Sequence, residues 1–164
     1  MANKIRSISV MKTDLAAGLT IAFLLLPFAV KAQESRTQSA DDSNVRPRIT
    51  TTDLQIIKRA REILDSPSKW NRADNRECPP KATTFSLYCA LQRATIEVAG
   101  SSQHRGAALQ EARFVIDEIA KDRNYEHRLM NYNNDPATTF ADVQEVLRIT
   151  ESLMKLRLKT NGGN

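Results

Sequence analysis

The chain has 164 residues, with 24 lysines and arginines against 19 aspartates and glutamates, so its formal net charge is +5. Four of the basic residues and one acidic residue lie within the first 32 positions, which leaves a balance of +2 on the other 132. A charge this small argues against a nucleic-acid-binding protein, which gathers basic residues on one surface. The length beyond position 32 suits one domain with a single core.

Residues 1–32 have the three parts of a secretory signal peptide in order. A basic start precedes an apolar run at positions 15–30, and Val30-Lys31-Ala32 has small residues at the two positions that a signal peptidase recognises. We therefore expect cleavage after position 32 and an exported protein, periplasmic or secreted, that starts either from Met1 or from Met11.

The alternative for this leader is an uncleaved membrane anchor. A bilayer core needs roughly 20 apolar residues, whereas this run has 16 positions and contains Gly18 and Pro27. No second apolar run follows, so we expect no stable membrane insertion of the mature form.

Export bears on the two cysteines of the chain, Cys78 and Cys89, because an oxidising compartment favours their pairing. The alternative is a catalytic thiol at Cys89, which would need a base such as His104 or His127. Two cysteines and two scattered histidines show no zinc spacing, so neither a metal nor a cofactor is expected.

The mature chain divides into a spacer and a helical domain. Residues 33–48 are polar and offer almost nothing to bury, which predicts a disordered spacer. The folded domain is expected over residues 49–160. Its first helix is predicted at about 52–65, with N-caps offered by Thr51 and Thr52.

Further along, residues 66–81 predict a loop whose one large apolar side chain is Trp70. A second, largely buried helix should start after Thr83 or Thr84 and stop at Gly100.

A third helix is predicted from a cap at Ser101-Ser102 to about Asp122, and a short turn is expected at 125–132. The last helix should be capped by Thr138 or Thr139, with Asp142 completing a capping box. Four helices without a convincing strand predict an all-α fold, a compact antiparallel bundle.

Two stretches carry a family resemblance. Tyr88-Cys89-Ala90-Leu91 lies in a predicted helix, and Asn134-Asp135-Pro136-Ala137-Thr138-Thr139-Phe140 opens the last one. Together with Arg59–Leu64 and Trp70, these motifs resemble a bacterial family catalogued as domain of unknown function 6197. The resemblance spans about residues 52–158. It implies a helical fold and carries no activity or substrate.

Two hypotheses of function follow, and a third depends on the leader. The first is an exported, non-enzymatic binding or interaction module for a protein or small-molecule partner. The second is an enzyme with a site near the loop and the last turn, built from Trp70, His127, Asn131, Asn134 and Asp135. The third is a membrane-tethered protein that keeps its leader. Against the second, Asn134 and Asp135 are expected to satisfy amides at the start of the last helix.

Overall fold

The computed structural model describes residues 45–161; the predicted signal peptide at 1–32 and residues 33–44 of the predicted spacer lie outside the described residues. The described chain forms five α-helices: α1 Thr51–Ile63, α2 Leu87–Ala99, α3 Ala107–Ile119, α4 Arg128–Asn134 and α5 Phe140–Asn161. A short 3-10 turn occupies Pro67–Lys69. No strand is present between residues 45 and 161, where the nearest feature is one isolated bridge between Trp70 and Phe85. The predicted all-α fold is confirmed.

The helix count differs from the four predicted, because α4 lies where the sequence indicated only a short turn at 125–132. This helix has seven residues and no side-chain cap at its start. Such a helix is too short to be stable alone or to show a 3.6-residue pattern. Contacts of its buried residues Leu129, Tyr132 and Asn133 with the rest of the domain therefore stabilise it.

Two helix starts also differ from the expectation. α1 is capped by Thr50, one residue before the two predicted threonines, and Thr50 and Asp53 exchange both bonds of a capping box. α2 is capped by Ser86, whose hydroxyl accepts the Cys89 amide at 3.1 Å. In both cases the apolar pattern located the helix, and the cap depends on which polar residue turns into the extended conformation.

The boundary between α2 and α3 is confirmed at one end and wrong at the other. Gly100 ends α2 in a left-handed conformation with φ 76°, as predicted, and glycine adopts it without a Cβ penalty. α3 does not begin at Ser101-Ser102. It starts at Ala107 behind Gly106, and no side chain caps it.

The helices enclose one apolar core. α1 packs against α2 and α5, while α3 packs against α5 and α4. Fully buried alanines at Ala60, Ala90, Ala94 and Ala112 stand on three of these helices and permit close approach of the backbones. Seven residues of α2 are buried, so this helix is the central, largely buried one that the sequence predicted.

A buried carboxylate connects the segment before α1 to α3 and α5. Glu111 is fully buried and accepts bonds from Arg46, at 3.2 Å, and from Arg157. Arg157 also donates to the carbonyl of Pro47 at 2.8 Å. Within the described residues, ordered contacts therefore include Arg46 and Pro47, which precede the predicted domain start at Ile49.

α5 is the longest helix, with 22 residues, and begins as the sequence predicted. Thr139 and Asp142 form a capping box: the Asp142 carboxylate accepts the Thr139 amide at 2.8 Å, and the Thr139 hydroxyl accepts the Asp142 amide at 3.2 Å. None of the helices between residues 45 and 161 combines the length and apolar character needed to cross a bilayer.

Thr139→Ala should lower the free energy of unfolding by about 1 kcal/mol, because it removes a capping bond at the start of α5. Thr84→Ala is the matched control, since Thr84 is exposed and caps no helix. Thermal or urea melts of both variants check this. Equal stability of the two variants would contradict the assigned cap.

Candidate functional site

Three of the residues that the enzyme hypothesis named, Trp70, Asn134 and Asp135, lie where the loop between α1 and α2 meets the end of α4. We call this region the polar junction and define it by Trp70, Asp74, Asn133, Asn134 and Asp135. The side chains of Trp70, Asn133 and Asn134 bond to each other or to the backbone of Asp74, across about 60 positions of sequence. The junction therefore joins two distant parts of the chain.

Asn133 is the fully buried centre of the polar junction. Its Oδ1 accepts the indole N–H of Trp70 at 2.8 Å and the backbone amide of Leu87 at 3.0 Å. Its Nδ2 donates to the carbonyls of Asn71 and Arg72 at 3.0 and 2.9 Å. Leu87 is the first residue of α2, so this one amide holds the loop and also satisfies a free donor at a helix start.

Sequence reasoning placed Asn133 only within a turn-forming run and missed its role. A signal was present: Leu129, Tyr132 and Asn133 stand at spacings of three and four, which puts them on one face of a helix. A polar residue on an otherwise apolar face is often a buried one with several bonds to make.

Asn134 pairs with the backbone of Asp74 in both directions. Its Oδ1 accepts the Asp74 amide at 2.8 Å, and its Nδ2 donates to the Asp74 carbonyl at the same distance. The expectation that Asn134 satisfies the start of the last helix is wrong, because Asn134 is the last residue of α4 and faces the loop.

Asp135 follows α4 and fixes the turn toward α5. Its carboxylate accepts the Tyr125 hydroxyl at 2.6 Å, the Arg123 guanidinium at 3.0 Å and the Ala137 amide at 2.8 Å. The Tyr125 bond and then the Ala137 bond stabilise the charged form, so they lower the pKa of Asp135 below its ordinary value. Asp135 thus satisfies an amide of the turn, while the first turn of α5 depends on Thr139.

Trp70 lies at the edge of the core, partly buried, with its ring 6.2 Å from that of Phe140. The guanidinium of Arg72 stands 5.7 Å from its ring centroid. Arg72 also donates to the carbonyls of Asp135 and Pro136, at 2.7 and 2.5 Å. The indole is therefore held at its N–H edge by Asn133 and on one face by Arg72.

The structure does not bring His127 into this group. His127 precedes α4, is exposed, and bonds through its backbone amide to Oδ1 of Asn131 at 2.8 Å. Among residues 45–161, no contact joins its imidazole to Asp135 or Trp70. A base at His127 and a carboxylate at Asp135 thus do not form the shared site that the enzyme hypothesis requires.

Cys78 and Cys89 form a disulfide with an S–S distance of 2.00 Å, the pairing predicted from sequence. The bond connects the loop to the first turn of α2, at the opposite end of the helix from Gly100. A thiol nucleophile at Cys89 is incompatible with this oxidised state. Within the described part of the chain, no group of three His, Cys, Asp or Glu side chains is placed to hold a metal ion.

Asn133→Ala should destabilise the domain strongly, because the buried amide of Leu87, the partly buried indole of Trp70 and two carbonyls lose their partner. An unsatisfied buried group costs about 1–3 kcal/mol, so a total loss near 3 kcal/mol is expected. Asn131→Ala is the control, since Asn131 accepts one bond at an exposed helix start. Urea unfolding measures both; similar losses for the two variants would refute the central role of Asn133.

The pH dependence of stability should report Asp135. Since its pKa is lowered on folding, its carboxylate stabilises the fold above its ordinary value near pH 4, and that contribution is lost as the pH falls toward the lowered pKa. We expect Asp135→Asn to have a lower Tm than the wild type at pH 7 and a smaller deficit below pH 4.

The control for this pH series is Asp122→Asn, because Asp122 is exposed in the turn after α3. Its Tm should follow that of the wild type over the whole range. A deficit for Asp135→Asn that stays constant or grows toward acid pH would contradict the assignment.

Comparison with known proteins places these features in a family. The model of the Family of unknown function (DUF6197) matches residues 48–153, which include the polar junction and both cysteines. No curated protein and no solved structure matches the chain. Because the matched span covers well over half of the sequence, the chain belongs to the family of unknown function DUF6197.

Proposed function

We propose that the mature chain is an exported, non-enzymatic binding module. The observation that carries the proposal is the use of the polar junction: Asn133, Asn134 and Asp135 bond to backbone and side chains of the domain itself. Because these side chains already have partners within the domain, they stabilise the fold and are not available to act on a substrate. This supports a binding module over an enzyme with its active site at the polar junction.

The disulfide supports the exported part of the proposal. Disulfides persist in oxidising compartments and are rare in the cytosol. The pair Cys78–Cys89 closes a loop with a separation of 11 residues. A loop of that size stabilises a fold by roughly 3 kcal/mol on the chain-entropy model, which would be lost in a reducing compartment.

The enzyme alternative, with a site near Trp70, His127 and Asp135, receives less support. It needs a base beside a carboxylate in a cleft. The exposed ring of His127 and the carboxylate of Asp135, engaged by Tyr125 and Arg123, do not supply that pair.

Intact-mass analysis of the exported fraction tests export. We expect a chain that begins at Gln33 and is two hydrogens lighter than its reduced form, because the cysteines are paired. Recovery with membranes of a chain that still contains residues 1–32 would contradict the proposal and favour the tethered alternative.

Binding is tested by cross-linked capture from the exported fraction, with the oxidised protein as bait and the same protein reduced and alkylated as control. A binding module predicts a defined partner that is captured by the oxidised bait and lost on reduction. The same capture by both baits, or by neither, would contradict it.

A further inference from the structure

Among the described residues, Arg113 on α3 is a partly buried cation without a carboxylate partner. Its Nη1 donates to the carbonyl of His104 at 3.0 Å and to Oε1 of Gln110 at 2.7 Å, and both acceptors are neutral. Its Nε and Nη2 have no hydrogen-bond partner in the described part of the chain. By contrast, Glu111, the adjacent carboxylate on α3, pairs with Arg46 and Arg157.

The surroundings of Arg113 are positive. Burial lowers the pKa of Arg113 to about 10, and the nearby charge of Arg128 adds to this effect, followed by those of Arg76 and Arg105. Arg128 is paired with Asp117, so part of its charge is already balanced. At pH 7 the guanidinium remains charged, and a partly buried charge without a counter-ion costs free energy that an anion would recover.

The guanidinium is held in one orientation by a rigid neighbour. The Tyr88 hydroxyl and His104 Nδ1 are 2.6 Å apart, and the two rings are stacked with centroids 5.9 Å apart. Tyr88 is buried on α2, so this pair anchors the loop that carries the His104 carbonyl. With Nη1 fixed by His104 and Gln110, the edge formed by Nε and Nη2 is left open.

That open edge has the geometry of an oxyanion site. Two parallel N–H groups on one side of a guanidinium match two oxygens of a carboxylate or phosphate. We propose that Nε and Nη2 of Arg113 bind the carboxylate or phosphate group of a small molecule, with Arg76 supplying further positive charge. The proposal rests on the binding function and names the ligand class for it.

Asp74 sets a limit on this site. Asp74 is buried, and its Oδ2 has no hydrogen-bond partner among the described residues. Burial raises the pKa of Tyr88, and the nearby charge of Asp74 also acts to raise it. Oδ1 of Asp74 accepts the Arg76 amide at 2.7 Å, which holds Arg76 in a left-handed conformation with φ 65°. A negative charge beside Arg76 weakens the attraction of Arg76 for an anion, so Asp74→Asn should tighten binding while keeping the Oδ1 acceptor.

Nuclear magnetic resonance titration of the purified, oxidised protein tests the site. Sodium phosphate and sodium acetate are added separately at constant ionic strength, and the Nε–H signal of Arg113 is followed. We expect a saturable shift with at least one anion. Phosphate alone would indicate a phosphorylated ligand, and acetate alone or both anions would indicate a carboxylate-sized site.

Three variants make the test specific. Arg113→Gln should abolish the saturable response of the neighbouring Gln110 signal, and Arg76→Asn, at an exposed residue where asparagine tolerates positive φ, should weaken the affinity several-fold. Arg148→Gln, which removes an exposed cation paired with Glu145, should leave the affinity unchanged.

No response to either anion, or the same affinity in wild type and Arg76→Asn, would overturn the oxyanion site. Should Arg113→Gln fail to fold, the Arg76→Asn comparison still decides the matter. Failure here leaves the binding proposal standing, because that proposal is tested by capture of a partner.

Discussion

The fold depends on one buried side-chain amide. Asn133 accepts the indole of Trp70 and the first amide of α2, and donates to two carbonyls of the loop before it. Without those bonds the first amide of α2 and the loop carbonyls of Asn71 and Arg72 would lose their partner, since the loop's own regular structure is limited to a short 3-10 turn and a single bridge. The position of the loop, and with it the start of α2, follows from a residue on α4.

Other contacts fix the same loop at different points. Asn134 pairs with the backbone of Asp74, Arg72 donates to carbonyls at the end of α4, and the disulfide connects Cys78 to α2. A long loop loses much conformational entropy on folding; the hydrogen bonds offset this cost, and the disulfide lowers it by restricting the unfolded chain. These restraints explain why an aperiodic segment has a defined position. The same contacts occupy the polar groups of the loop with hydrogen bonds inside the domain.

The sequence predicted the long, amphipathic helices. It also predicted interactions between residues that are close together in the chain. α1, α2 and α5 follow from apolar spacing, and the capping box of Thr139 and Asp142 follows from a separation of three residues. The disulfide followed because only one pairing exists. The family assignment from short motifs was confirmed by a match over residues 48–153.

The sequence did not predict contacts between residues far apart in the chain. α4 is too short for its period to be visible, and the bonds of Asn133 reach positions more than 40 residues away. The sequence did not indicate Arg113 either, because the lack of a carboxylate beside it among residues 45–161 depends on how α2, α3 and the intervening loop pack. Pattern arguments describe neighbours in sequence, whereas these sites are formed by neighbours in space.

Hydrogen exchange of the Trp70 indole N–H tests the central role of Asn133 most directly. If this proton is held by Asn133 in a cooperative core, it should exchange only when the domain unfolds, with an opening free energy equal to that of core amides of α2. The same protection is expected for the Leu87 amide. Exchange of the indole proton at the rate of an unprotected tryptophan, while α2 stays protected, would contradict the account.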